Sequence, residues 1–196
     1  MCPTMPENAD NRLREWIDCM RQVEMIPWSN FPELDLYMDQ VITLMNRQLE
    51  PLYVESDRPL TPSMINNYVK DGVMPRPTHK KYTREHLTIL SLICMLKSEF
   101  TLPEVRELVT SLSGFYSTEE LYNAFCESQI AHLRETAAKL EPIDSMSDAE
   151  RFRLAMDLAL EANAKRIAAT HLLSSLTPAA TEEKKEKKKK KDVAED

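Results

Sequence analysis

The chain reads as an all-α protein. Only two of its 196 residues are glycine, and leucine, methionine, alanine, glutamate and lysine dominate a composition that is 42% hydrophobic. Residues of that kind lose little freedom in a helix, whereas glycine loses most. Apolar positions recur every three or four residues along most of the sequence, and Ser/Thr-x-x-Glu capping signals punctuate it. The length suits one domain with appendages and a real core.

A first helix is predicted from Asp10 to Met25, with Leu13, Trp16, Ile17, Met20 and Val23 on one stripe. Before it, Met1 to about Glu7 carries two prolines and no periodicity, and is expected to be loose. Pro27 and Pro32 break the chain, and Trp28 and Phe31 between them are expected to pack the connection onto the body. A second helix is predicted from Glu33 to Gln48, with Leu34, Met38, Val41, Ile42, Met45 and Leu49 inward. Pro51 to Pro59 is a connector in which Leu52, Tyr53 and Val54 offer a short apolar or extended piece.

The stretch from Leu60 to Arg84 is the most informative. Thr61 is a good N-cap and Pro62 suits the first helical position, so a short helix is predicted from Pro62 to Lys70. Gly72 stands where a left-handed residue ends a helix. Pro75 and Pro77 forbid more helix, and His79-Lys80-Lys81-Tyr82 reads as an exposed basic loop or hairpin. A polar helix, a stiff turn and a basic loop suit a helix laid in a DNA groove beside a wing.

Thr83 caps a helix reaching Lys97, apolar almost all round and therefore expected at the centre of the core. Thr101 to Glu104 opens a helix to Leu112, ended by Gly114. Ser117 to Glu120 opens one to Leu140, and Ser147 to Glu150 opens an alanine-rich one to Leu176. Ala155, Ala159 and Ala162 allow close approach, so the last two helices are expected to pair, within one subunit or across a homodimer. From Thr177 the chain is low-complexity, with seven lysines against six acids, and is expected to be a disordered, solvated tail.

The formal charge is −7, which counts against nucleic acid until its distribution is considered. Between Arg58 and His86 the cations Arg58, Lys70, Arg76, Lys80, Lys81 and Arg84 face only Asp71 and Glu85, a local +4. Cys2, Cys19, Cys94 and Cys126 form no CxxC pair and the four histidines have no ligand spacing, so no metal or cofactor is expected. Cys94, in an apolar helix, reads as a buried thiol. No HExxH, GxSxG or phosphate-cradling glycine loop is present, and Glu85-His86 are helix neighbours whose side chains diverge, so no enzyme is expected. No apolar run approaches the roughly 20 residues of a membrane span, and the N-terminus lacks a signal pattern, which places the chain in the cytoplasm.

The runs TPSMINNYVKDGVMPRP, KKYTREHLTILSLICMLK and FTLPEVRELVTSL, in that order, resemble the DNA-binding domain of MerR-type regulators. DLYMDQVI, MINNYVKDG and KKYTREH resemble, more closely, a bacterial family catalogued as domain of unknown function 1836 and regarded as MerR-like. The resemblance covers Phe31 to Leu112. It implies a MerR-like winged helix-turn-helix domain (31–115), preceded by an additional N-terminal helix and connector (1–30) and followed by a C-terminal helical hairpin (116–176) and the tail (177–196). It also implies a transcriptional regulator that binds double-stranded DNA, with the C-terminal helices in the position of the family's dimerisation region. No cysteine pair or metal cluster follows the domain, so metal sensing is not expected.

The expected DNA-contacting residues are Thr61, Ser63, Asn66, Asn67, Tyr68 and Lys70 on the recognition helix (62–70), Arg76 in the turn, and His79, Lys80, Lys81, Tyr82 and Arg84 in the wing (79–84), with Ile65 as core anchor. MerR-type helices usually carry arginine where Asn66 stands and tyrosine where Asn67 stands, and Thr83 replaces a common arginine. Asparagine can read adenine through a bidentate contact but supplies no charge to phosphate. The competing reading is a MerR-like protein–protein adaptor without DNA binding, which the overall acidity and the missing arginines favour.

Overall fold

The computed structural model describes residues 9–52 and 59–176. Met1 to Glu7, Cys2 among them, Tyr53, Val54 and Arg58 of the connector, and the tail from Thr177 lie outside the described residues. The described residues are mainly helical, as the composition predicts.

The first helix, α1 (Ala9–Gln22), buries Ile17 and Met20, leaves Trp16 partly exposed, and packs along a later helix, α6 (Thr118–Lys139). After a short turn at Trp28–Asn30, Phe31 is buried and its ring lies 4.8 Å from that of Tyr122 in α6, with Trp28 at 6.0 Å from Phe31 and 6.1 Å from Tyr122. The Tyr122 hydroxyl donates to the Ile26 carbonyl at 2.8 Å and accepts from Gln48 Nε2 at 3.2 Å, so this one buried phenol ties three distant segments together.

Here the chain departs from its helical pattern. The helix expected from Glu33 starts only at Met38 (α2, Met38–Leu49), because Leu36–Tyr37 forms a strand, β1, antiparallel to β2 (Lys81–Tyr82), with Leu36 opposite Tyr82 and Tyr37 opposite Lys81. Leu34 therefore sits outside the helix stripe and is 82% exposed. The start of α2 is capped by Gln40, whose side-chain oxygen accepts from the Tyr37 amide at 2.9 Å. Leu52 lies in a short turn at Glu50–Leu52.

Helix α3 (Pro62–Lys70) has the bounds its caps predict. The Thr61 hydroxyl accepts from the Met64 amide at 3.3 Å, Gly72 takes φ +68°, and the Val73 and Met74 amides both return to the Tyr68 carbonyl. Ile65 and Tyr68 of α3 share the main core with Val41 and Met45 of α2, and Asn46 of α2 fastens the residue that leads into α3. The Asn46 side chain accepts from the Leu60 amide at 2.7 Å and donates to the Leu60 carbonyl at 3.1 Å, a two-point clamp on the end of the long connector.

Helix α4 (Arg84–Leu96) is the centre of the main core. Every residue from His86 to Cys94 is buried, against α2, α5 (Leu102–Leu112) and α6. Thr101–Glu104, Ser117–Glu120 and Ser147–Glu150 all close as capping boxes, with Glu carboxylates accepting the cap amides at 2.7, 2.9 and 2.8 Å. A second, smaller core joins Ile17 and Met20 of α1 to Ala137, Leu140 and Ile143, with Leu154 and Leu158 of α7 (Asp148–Leu176) packed against it. The α6–α7 contact is made by these leucines and by Lys139 Nζ on Glu161 at 2.9 Å; Ala155, Ala159 and Ala162, expected to bring the two helices together, are exposed.

Candidate nucleic-acid interface

Nine residues of helix make two faces. On α3, Ile65 and Tyr68 are buried and Met64 and Val69 half-buried, which leaves Ser63, Asn66, Asn67 and Lys70 outward at the i, i+3, i+4, i+7 spacing of one helical face. All four are exposed. Tyr68, expected on the outer surface, is 6% exposed instead, and burial pushes its phenol up to about 12. Its ring is needed inside because a helix of this length has few apolar residues to anchor it. The Thr61 hydroxyl is exposed but engaged by its cap.

After α3, Arg76 is exposed, and Thr78 to Lys81 makes a two-residue hairpin turn in which the Lys81 amide donates to the Thr78 carbonyl at 3.0 Å. The two central residues, His79 and Lys80, have φ of 51° and 62°. This is the conformation that hairpin turns of this length demand and that asparagine–glycine usually supplies. Here it is filled by an imidazole and an ammonium, both exposed, at a strain cost of about 1 kcal/mol each. Lys81 is half-buried and lays its ammonium 5.5 Å from the Tyr37 ring centroid, across the two-stranded pairing.

Tyr82 and Arg84 are corrections to the expected contact set. Tyr82 is 3% exposed and faces the core, because the alternation of the strand sends Lys81 outward and Tyr82 in. Arg84 donates from Nη2 to the Phe31 carbonyl at 2.8 Å and from Nε to the Pro32 carbonyl at 3.3 Å, with its guanidinium 5.9 Å from the Trp28 ring centroid. It fastens the 27–32 connection to the start of α4, and its donors have two backbone acceptors.

The outward set is thus Ser63, Asn66, Asn67 and Lys70 on the helix, with Arg76, His79 and Lys80 exposed in the turn and hairpin that follow it in the chain. Arg106 of α5, which no local pattern marked, joins them: its Nη1 lies 3.7 Å from where a side chain on Gly72 would begin, next to the C-terminal end of α3. Helix C-termini favour cations, so Lys70 and Arg106 are well placed there. Around Lys81 the surface carries acids as well. An open groove of about 700 Å³ there is lined by Glu33 and Asp35 as well as Leu34, Leu36, Tyr37 and Lys81.

Among the described residues, no group of three His, Cys, Asp or Glu side chains is arranged to hold a metal, and no helix is long and apolar enough to cross a membrane. Cys94 is a buried thiol, as its helix predicts, pushed up to about 11 by desolvation; Cys126 is buried and raised for the same reason. His86 is 5% exposed inside the fold.

Residues 26–125 match the model of a family described as a domain of unknown function (DUF1836). No curated protein and no solved structure matches the chain.

Proposed function

The chain belongs to the DUF1836 family, which carries no assigned activity, and from its surface we propose a cytoplasmic transcriptional regulator with a MerR-like winged helix-turn-helix, α3 entering the major groove of double-stranded DNA and the 78–81 turn gripping the adjacent backbone. The observation that carries this reading is the single outward face of Ser63, Asn66, Asn67 and Lys70, with Arg106 at the C-terminal end of the helix and Arg76, His79 and Lys80 exposed in the turn and hairpin that follow it in the chain. Amides on that face can read base edges, and the flanking cations can neutralise phosphate.

Selection of bound duplexes from a random pool, then titration of the winner with salt, tests it. An enriched sequence whose affinity falls steeply with salt is the expected result. Lys80→Ala is expected to weaken binding to all sequences and to reduce the salt slope by about 1, and Asn66→Ala to change sequence preference. No enrichment, or variants that bind like the parent, overturns the reading.

A protein–protein adaptor without DNA binding is the second reading. Glu33 and Asp35 beside Lys81, and the commitment of Arg84 to carbonyls, favour it.

The partner proposed for α7 is a second copy of the chain. Phe152, Met156, Leu160 and Ile167 lie on one stripe of α7, about 22 Å long, and are all exposed, Phe152 by 78%. A homodimer through this stripe would bury them and present two copies of α3, as a two-fold repeated DNA site requires. Sedimentation is expected to give a dimer at micromolar concentration and a monomer for Met156→Asp. A monomeric parent removes the dimer.

A further inference from the structure

A capping box normally places glutamate or glutamine at the third residue of the helix, so that its side chain accepts the N-cap amide. At the start of α4 that position is His86. The Thr83 amide donates to His86 Nδ1 at 3.0 Å, and the Thr83 hydroxyl is 2.8 Å from the same nitrogen. An amide can only donate, so Nδ1 holds a lone pair and the ring proton sits on Nε2. Nε2 is buried and makes no well-formed hydrogen bond, while the backbone of Pro75 and Arg76 lies near enough to the ring to favour a proton on it. The Tyr82 ring meets the imidazole edge-on at 5.4 Å.

His86 therefore touches three parts of the candidate interface at once: the start of α4, strand β2, and the turn leaving α3. The charged groups that act on it are Glu85 on its own helix and Asp35 ahead of β1, both favouring protonation, while the facing Tyr82 phenol is kept neutral by burial. Desolvation outweighs them and holds the imidazole below its ordinary value, so it is neutral at neutral pH.

We propose that His86 is a proton-operated latch: a proton taken from water onto Nδ1 abolishes the acceptor for the Thr83 amide and frees the 78–83 hairpin from α4, while the helical body stays folded. The consequence for DNA affinity rests on the reading given above; the latch itself does not. Because the folded-state value is lowered, the unfolded or released form binds more protons. The closed state is therefore fully held above the ordinary histidine range and lost as pH falls below it.

The test uses the full chain, without DNA, followed by NMR between about pH 7.5 and 5. The signals are the His86 ring and the Lys81 and Thr83 amides, with Ile93 and Tyr122 amides as reporters of the body. His86→Gln is the matched variant, since glutamine accepts the cap amide as the imidazole does and has no proton to gain. The expected result is a ring titration below the ordinary histidine value, with exchange protection at Lys81 and Thr83 falling about tenfold per pH unit beneath it, after correction for intrinsic exchange. Ile93 and Tyr122 should stay protected, and the glutamine variant should show no such fall. Overturning results are a ring that does not titrate, a titration that leaves the hairpin amides unchanged, equal loosening in the glutamine variant, or simultaneous loss at Ile93 and Tyr122, which would be acid unfolding. With a selected duplex in hand, affinity should fall in the same pH window for the parent alone. A chain that binds no DNA removes that consequence but leaves the hairpin result to decide the latch.

Discussion

Helices α4 and α7 both carry more apolar surface than a single stripe, and the fold meets that surface in opposite ways. Helix α4 is apolar almost all round, the pattern of a helix that is buried on every side, whereas α7 is alanine-rich and carries eight charged residues between two apolar stripes, Leu154 and Leu158 on one, Phe152, Met156, Leu160 and Ile167 on the other. In α4 the fold supplies the neighbours, and nine consecutive residues are buried. In α7, 29 residues long, Leu154 and Leu158 face the small core and Leu173 is buried, while Phe152, Met156, Leu160 and Ile167 face outward. Apolar surface beyond one stripe states a demand for partners. Whether the chain itself meets that demand is a property of the packing.

Substitutions can break or sharpen this contrast. The largest effect is expected in α4: Ile93→Ala, at a position with no exposure, should cost about 2–5 kcal/mol and lower the thermal midpoint accordingly. A loss below 1 kcal/mol would mean that the α4 core is looser than its burial implies. Next comes the tie between α6 and the rest of the core. Tyr122→Phe keeps the ring packing, removes the hydroxyl, and leaves the Ile26 carbonyl and Gln48 amide unpaired, a cost of about 1–3 kcal/mol measured by denaturant unfolding. On α7, Leu160→Ala is expected within about 0.5 kcal/mol for a monomer. If a second copy covers that face, the loss becomes larger and the melting temperature of the parent rises with protein concentration. That concentration dependence is the sharpest discriminator between the two helices.

The smallest effect lies at the α6–α7 ion cluster. Hydrogen bonds from Lys165 and Lys139 hold the Glu161 carboxyl at about 2, well below its ordinary value. The depressed value means the link is fully present above the usual carboxylate range and lost as pH falls through about 2. The cluster is on the surface, so salt should screen it, and Glu161→Gln should leave the thermal midpoint almost unmoved. A carbon-detected titration of the carboxyl with an ordinary midpoint would remove the cluster as a tie between the helices.

Much of the candidate interface was legible before any tertiary contact was known. Thr61-Pro62 and Gly72 delimit α3, and the cap of α4 at Thr83 is where the sequence predicts it. Ser63, Asn66, Asn67, Lys70, Arg76, His79 and Lys80 are exposed as expected. Tyr68, Tyr82 and Arg84 were not legible in this way. An aromatic ring or a guanidinium beside a basic loop suits a phosphate and suits a core equally well; for Arg84 the choice is made by Phe31, Pro32 and Trp28 some fifty residues away, and for Tyr68 and Tyr82 by the main core that encloses them. Arg106 and Asn46 gave no local signal at all, because their partners, Gly72 and Leu60, lie in other elements.

The sequence by itself determined where helices begin and end. Caps, boxes and the left-handed glycine act between residues three or four apart, so their energy is present in the local chain. The tertiary structure alone decided that residues 36–37 leave the helical pattern to pair with 81–82, that Arg84 spends its donors on carbonyls, and that α4 is enclosed while α7 is not. Each of these depends on a strand, a carbonyl or an apolar surface brought from far along the chain, and no periodicity within a segment records what will meet it.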